Sequence, residues 1–113
     1  MESRFDSQLK KGVLEMLVLG LLCRRQTYGY QLLGSIRQQS GGYMQLKEGT
    51  LYPILYRLED EGLICSQWSA QGRAAPKKVY TATEAGQAEW HRRQTVWREF
   101  CSCVDGFFKE EEP

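Results

Sequence analysis

The chain has a single histidine, His91, and none of its four cysteines form a Cys-x-x-Cys pair. Both shortages argue against a structural metal, because a tetrahedral zinc site draws four ligands from closely spaced Cys and His. Cys23 and Cys65 sit in apolar contexts and are expected as small core residues. Cys101 and Cys103 flank Ser102, so on a helix they point to different faces. A Gly-rich phosphate loop is missing, as is any workable Ser/His/Asp set, and His91 stands alone on a charged helix face. No enzyme chemistry and no cofactor are expected from such a chain. Long hydrophobic runs are also absent. The longest, Met16 to Cys23, is broken by Gly20, falls far short of a bilayer span, and has charged flanks unlike a secretion signal. There is no internal repeat and no low-complexity segment. The expectation is a cytoplasmic protein, one domain in size, with no membrane partner.

Excess charge of one sign is lacking overall, at +1, but not locally. Residues 1–40 carry a balance of +3, residues 41–82 one of +1 and residues 83–113 one of −3. A duplex-binding surface fits the first two segments, with the acidic end turned away. A pI near 7.6 limits any such surface to a local patch.

What is present is helical periodicity. Ser7 to Leu22 forms a stripe so broad that the helix must be central or shared with a second subunit. After a polar turn at Arg24-Arg25-Gln26, Thr27 is placed to cap a helix from about Tyr28 to Gln39, which Gly41-Gly42 ends. A third helix begins near Glu48 and stops at Gly62, expected in the left-handed region. Leu63 to Ser69 and Lys77 to Ala82 then alternate as strands about a loop, Ala70 to Pro76. Thr83 is the expected N-cap of a long helix running to about Phe108. The order predicts a mainly α fold with a small β-hairpin: a winged helix-turn-helix domain over residues 1–82, then a long C-terminal dimerisation helix over 83–113.

The third helix carries the functional information. Leu51, Ile54, Leu55 and Leu58 recur at helical spacing and define a core face. Thr50, Pro53 and Arg57 lie on another face, with Tyr52 and Tyr56 beside them. That face holds hydroxyls, rings and a cation but no catalytic pairing, which suits the edge of a DNA groove. Competing structural readings are half-buried packing for Tyr52 and Tyr56, and a surface ion pair from Arg57 to Asp60 or Glu61. Arg73, Lys77 and Lys78 on the hairpin are candidate phosphate contacts, set against ordinary solvated cations. Tyr28 and Tyr30 are further candidates at the free N–H groups of the second helix, although one of the two rings is expected to pack on the core.

Five blocks in order carry a family resemblance: Tyr28-Gly29-Tyr30-Gln31-Leu32, the run from Glu48 to Glu59, Gly62-Leu63-Ile64, Gly72-Arg73 through Lys78-Val79-Tyr80, and Thr83-Glu84-Ala85-Gly86. Together they resemble the PadR family of bacterial transcriptional regulators over nearly the whole chain. The wing departs from the family's usual Gly-Arg followed by Lys-Tyr-Tyr, with a longer loop and Val79 in place of an aromatic. The resemblance implies the short-tailed branch, whose members dimerise through one C-terminal helix. It further implies a repressor that releases DNA on binding a small molecule or another signal.

The last helix agrees with that implication. Trp90, Trp97 and Val104 fall at seven-residue steps, and Gln94, Cys101 and Phe108 follow each by four. This is an a/d seam with one polar interruption, so Trp90, Trp97, Cys101, Val104 and Phe108 are the expected dimer interface. Two copies of Trp97 across a two-fold axis suggest a slot for a planar aromatic molecule, lined by Leu14, Val18, Trp97 and Val104; simple filling of the interface by Trp97 is the plainer reading. The expected partners are therefore an inverted-repeat duplex, a second copy of the chain and a planar aromatic ligand. The rival reading is a winged-helix dimer that binds protein instead of DNA.

Overall fold

The computed structural model describes residues 2–69 and 75–110. Its first helix, α1 (Arg4–Arg24), starts three residues before the periodicity suggests. Ser3 Oγ accepts from the Asp6 N–H at 3.2 Å while the Asp6 carboxylate accepts from the Ser3 N–H at 3.3 Å, a reciprocal cap that extends the helix beyond its apolar stripe. Leu14, Val18, Leu19 and Leu22 form its buried face.

Thr27 does not cap the next helix. Thr27–Tyr28 form a two-residue strand, β1, and the Thr27 hydroxyl donates to the Arg25 carbonyl. The helix α2 (Gly29–Gln39) is instead held at its start by Gln31, whose side-chain oxygen accepts from the Tyr28 N–H at 3.2 Å. A strand of two residues has no period to read, so pattern alone could not show it.

The third helix, α3 (Glu48–Asp60), buries Leu51, Ile54, Leu55 and Leu58, the four residues its spacing selects. It ends as expected. Gly62 has φ of 77°, its N–H donates to Glu59 O, and the Leu63 N–H donates to Leu58 O. This is the Schellman closure, for which glycine is the unstrained residue. The strands β2 (Ile64–Ser69) and β3 (Lys77–Ala82) pair antiparallel, with Ser66 opposite Tyr80 and Trp68 opposite Lys78. β1 joins the other edge of β3, giving a three-stranded order β1-β3-β2 instead of a bare hairpin. The loop with Arg73 lies outside the described residues.

Thr83 caps α4 (Glu84–Lys109), its Oγ1 accepting from the Gly86 N–H at 3.1 Å. Among the described residues the core gathers α1, α2 and α3 with Leu63, Ile64 and Tyr80 of the wing. Cys23 is half-buried and its thiol is pushed up by burial, but Cys65 is exposed, because it falls on the sheet face turned from the core. No helix among the described residues is long and apolar enough to cross a membrane.

Candidate nucleic-acid interface

On α3 the core stripe fixes which side chains face out. Thr50, Pro53, Tyr56 and Arg57 are exposed, and Tyr56 keeps 60% of its surface. Pro53 has no N–H to give to Gly49, so its ring rests on the outer face at the cost of one helical bond. Tyr52 differs. It is half-buried against the core, and its hydroxyl lies where a Cβ on Gly29 would sit, 2.9 Å away. Gly29 thus lets α2 approach α3 closely, and Tyr52 serves first as packing.

Arg57 pairs with neither Asp60 nor Glu61. Its guanidinium donates to Glu15 of α1 at 3.4 Å, and Glu15 also meets Arg93 of α4 at 3.7 Å. Arg93 continues to Glu89 at 2.6 Å and Glu61 at 3.9 Å. One carboxylate on α1 therefore connects α3 to α4. This network joins three helices distant in sequence, so i,i+3 and i,i+4 spacing could not reveal it.

Lys77 and Lys78 project from opposite faces of β3, each over aromatic rings. Lys77 Nζ lies 5.8 Å from the Tyr28 ring and 5.2 Å from that of Tyr30, and the two rings stack at 5.9 Å. Tyr28 is half-buried and Tyr30 half-exposed, so neither enters the core. Lys78 Nζ lies 5.9 Å from the Trp68 ring and 5.7 Å from Tyr80. Tyr80 itself is buried. Its phenol is pushed up by that burial and then by the Glu59 carboxylate of α3. Ser66 reinforces the join, its hydroxyl donating to Glu59 at 2.6 Å. Sequence pattern singled out the two lysines but not Trp68, which is 70% exposed. The signal was available in the alternation Ile64, Ser66, Trp68, which puts the indole on the α3 side of the wing.

The helix-turn-helix, the wing and the long helix thus occur together in one frame. The family described as transcriptional regulator PadR-like matches residues 18–92, most of the chain. The chain belongs to the PadR-like family. Among its PadR-like relatives is the negative transcriptional regulator PadR of Bacillus subtilis, 35% identical over 79 residues. That alignment takes in 70% of this chain but 43% of the relative, so the chain spans less than half of that protein's length. A crystal structure of a PadR family transcriptional regulator from Eggerthella lenta superposes with a TM-score of 0.80 at 34% identity, covering 93% of this chain and 88% of that one. Bacillus subtilis PadR in complex with operator DNA superposes with a TM-score of 0.66 at 34% identity, over 73% of this chain and 46% of that one.

The expected dimer seam divides on inspection. Trp90 packs on its own chain, its ring 2.5–2.7 Å from where a Cβ on Gly20 would stand. Cys101 and Val104 are half-buried, while Trp97 and Phe108 are 37% and 61% exposed. Leu14 and Val18 do not line a slot with Trp97 or Val104. Both are core residues, Val18 fully buried, because the inner side of α1 carries them. The groove beside Trp97 is lined instead by Leu9, Val13, Met16, Val96 and Phe100. Among the described residues no cluster of three His, Cys, Asp or Glu could hold a metal.

Proposed function

We propose that this PadR-like chain is a homodimeric regulator of transcription that binds double-stranded DNA as a repressor and is released by a small molecule or another signal. The observation that carries the reading is the shared border of α3 and the wing. Thr50, Pro53 and Tyr56 face outward on α3, Ser66 of the wing bonds Glu59 of the same helix, and Lys78 stands over Tyr80 and Trp68 on that face of the wing. In this arrangement α3 enters a major groove and sets sequence choice, while Lys77 and Lys78, with Arg73 on the loop, meet phosphates. Tyr28 and Tyr30 add hydroxyls beside Lys77, and Tyr52 supports α3 from beneath. Arg57 reaches DNA only by leaving Glu15.

The reading unit comprises residues 1–82 together with the opening turns of α4, which pack on it. The rest of α4 serves the second copy through Trp97, Cys101, Val104 and Phe108, and a planar aromatic ligand fits against Trp97. An inverted-repeat operator follows from the two-fold axis, and its DNA places the protein in the cytoplasm.

The test is binding to duplexes selected from a random pool, measured against salt. Affinity falls as salt rises, and Lys77→Ala with Lys78→Ala flattens the slope by about 1.8, roughly 0.9 for each lost phosphate contact. Absence of binding to any duplex at low salt rejects the DNA reading and leaves a winged-helix module that binds protein.

A further inference from the structure

We infer that Trp68 is a DNA-backbone contact, a non-ionic partner to Lys78 that supplies affinity salt cannot screen. This rests on the DNA reading above. Positive charge on the reading face is limited. The net charge is +1, and Arg57 is already engaged by Glu15. A duplex binder of such composition gains from contacts other than ion pairs. Trp68 offers one. Its indole is 70% exposed and so presents most of its surface to a partner.

Its position is specific. Ile64, Ser66 and Trp68 share the sheet face laid against α3, with Ile64 in the core and Ser66 bonded to Glu59. Trp68 is the next residue outward on that face, past the end of the core and level with Lys78 across the strands. Lys78 Nζ stands 5.9 Å from the ring. A duplex lying along α3 and the wing meets both together. The flat indole covers a deoxyribose, its Nε1–H donates to a phosphate oxygen, and the Lys78 ammonium neutralises the neighbouring phosphate. Such a contact reads no base, so it strengthens binding to every sequence alike.

The experiment measures duplex affinity across a salt series for the full chain and three variants. Trp68→Ala weakens binding about tenfold at every salt with the slope unchanged, whereas Lys78→Ala lowers the slope by about 0.9. Trp68→Phe retains most of the affinity, because the ring remains. Duplex addition quenches tryptophan emission in the wild type, and Trp68→Phe loses that quenching although Trp90 and Trp97 are still present. Wild-type affinity and quenching in the Trp68 variants, with Lys78→Ala still changing the slope, overturn the inference and leave the DNA reading standing. A Trp68→Ala effect that vanishes at high salt also overturns it. A wild type that binds no duplex overturns both.

Discussion

The two halves of α4 are one continuous helix in two environments. From Glu84 to Arg93 it is fastened to its own chain. Thr83 Oγ1 donates to Gly62 O at 2.7 Å, Gln87 donates to Cys23 O at 3.0 Å, Trp90 covers Gly20, and Arg93 holds Glu15, Glu61 and Glu89. Beyond Arg93 the apolar side chains face outward: Val96 at 50% exposure, Phe100 at 56% and Phe107 at 70%. The first half is part of the domain. The second presents an apolar face of the kind that marks an association surface. The repeat of Trp90, Trp97 and Val104 is uniform across both halves, so the seam's period does not locate the division. What locates it is the fit against α1, whose Gly20 makes room for the ring of Trp90.

The largest effect is expected from damage to the fastened half. A Cβ at Gly86 would fall on the Leu63 carbonyl oxygen, a backbone atom that cannot yield. Gly86→Val is expected to cost about 3 kcal/mol or more and to lower the thermal midpoint by over ~10 °C, followed by circular dichroism. Replacing side chains in the free half should have the opposite signature. Trp97→Ala with Phe100→Ala is expected to leave the folding of dilute protein nearly unchanged and to weaken self-association by about 2 kcal/mol, roughly 30-fold, in sedimentation equilibrium. A fall in the dilute-protein midpoint as large as that of Gly86→Val would erase the distinction between the halves.

Smaller effects sharpen the boundary itself. Glu15→Gln removes the carboxylate shared by Arg57 and Arg93, and stability should change by no more than about 1 kcal/mol, since the Arg57 pair is solvent-screened and Arg93 keeps Glu89 and Glu61. Arg57, freed from Glu15, should steepen the salt dependence of duplex binding by up to about 0.9. The smallest effect is one of pH. Hydrogen bonds from Arg92 and then Arg93 hold the Glu89 carboxyl down from 4.5 to about 2. Because the folded value is the lower one, the stabilisation is complete above pH 4.5 and lost as pH falls toward 2. Arg93→Ala should narrow that acid-side loss by under about 1 kcal/mol in thermal melts taken across the range.

Much of the fold is legible in the chain because it rests on local rules. The stripe on α3, the glycine stop at Gly62 and the threonine cap at Thr83 are each decided within a few residues. Thr27 misleads because pairing with Tyr80 across the sheet outweighs its capping chemistry. Cys65 misleads because burial depends on which sheet face meets the helices, and one position reverses it. In the candidate interface, the outward residues of α3 follow from its stripe. The engagement of Arg57 by Glu15 does not, and neither does the retreat of Leu14 and Val18 into the core. Both depend on how α1 is rotated against helices far away in sequence.

The junction at Gly62, Leu63 and Gly86 has a mechanical consequence. Backbone bonds there, Thr83 N–H to Leu63 O among them, fix the direction in which α4 leaves the domain. Beyond Arg93, α4 continues for residues 94–109, 16 residues or about 24 Å, so a tilt of about 7° there displaces its tip by about 3 Å, near the rise of one base pair. In the proposed dimer this free part is then a lever with its fulcrum at Arg93. A molecule seated beside Trp97 needs only to lean on it slightly to put the two reading heads out of step with the turns of the duplex.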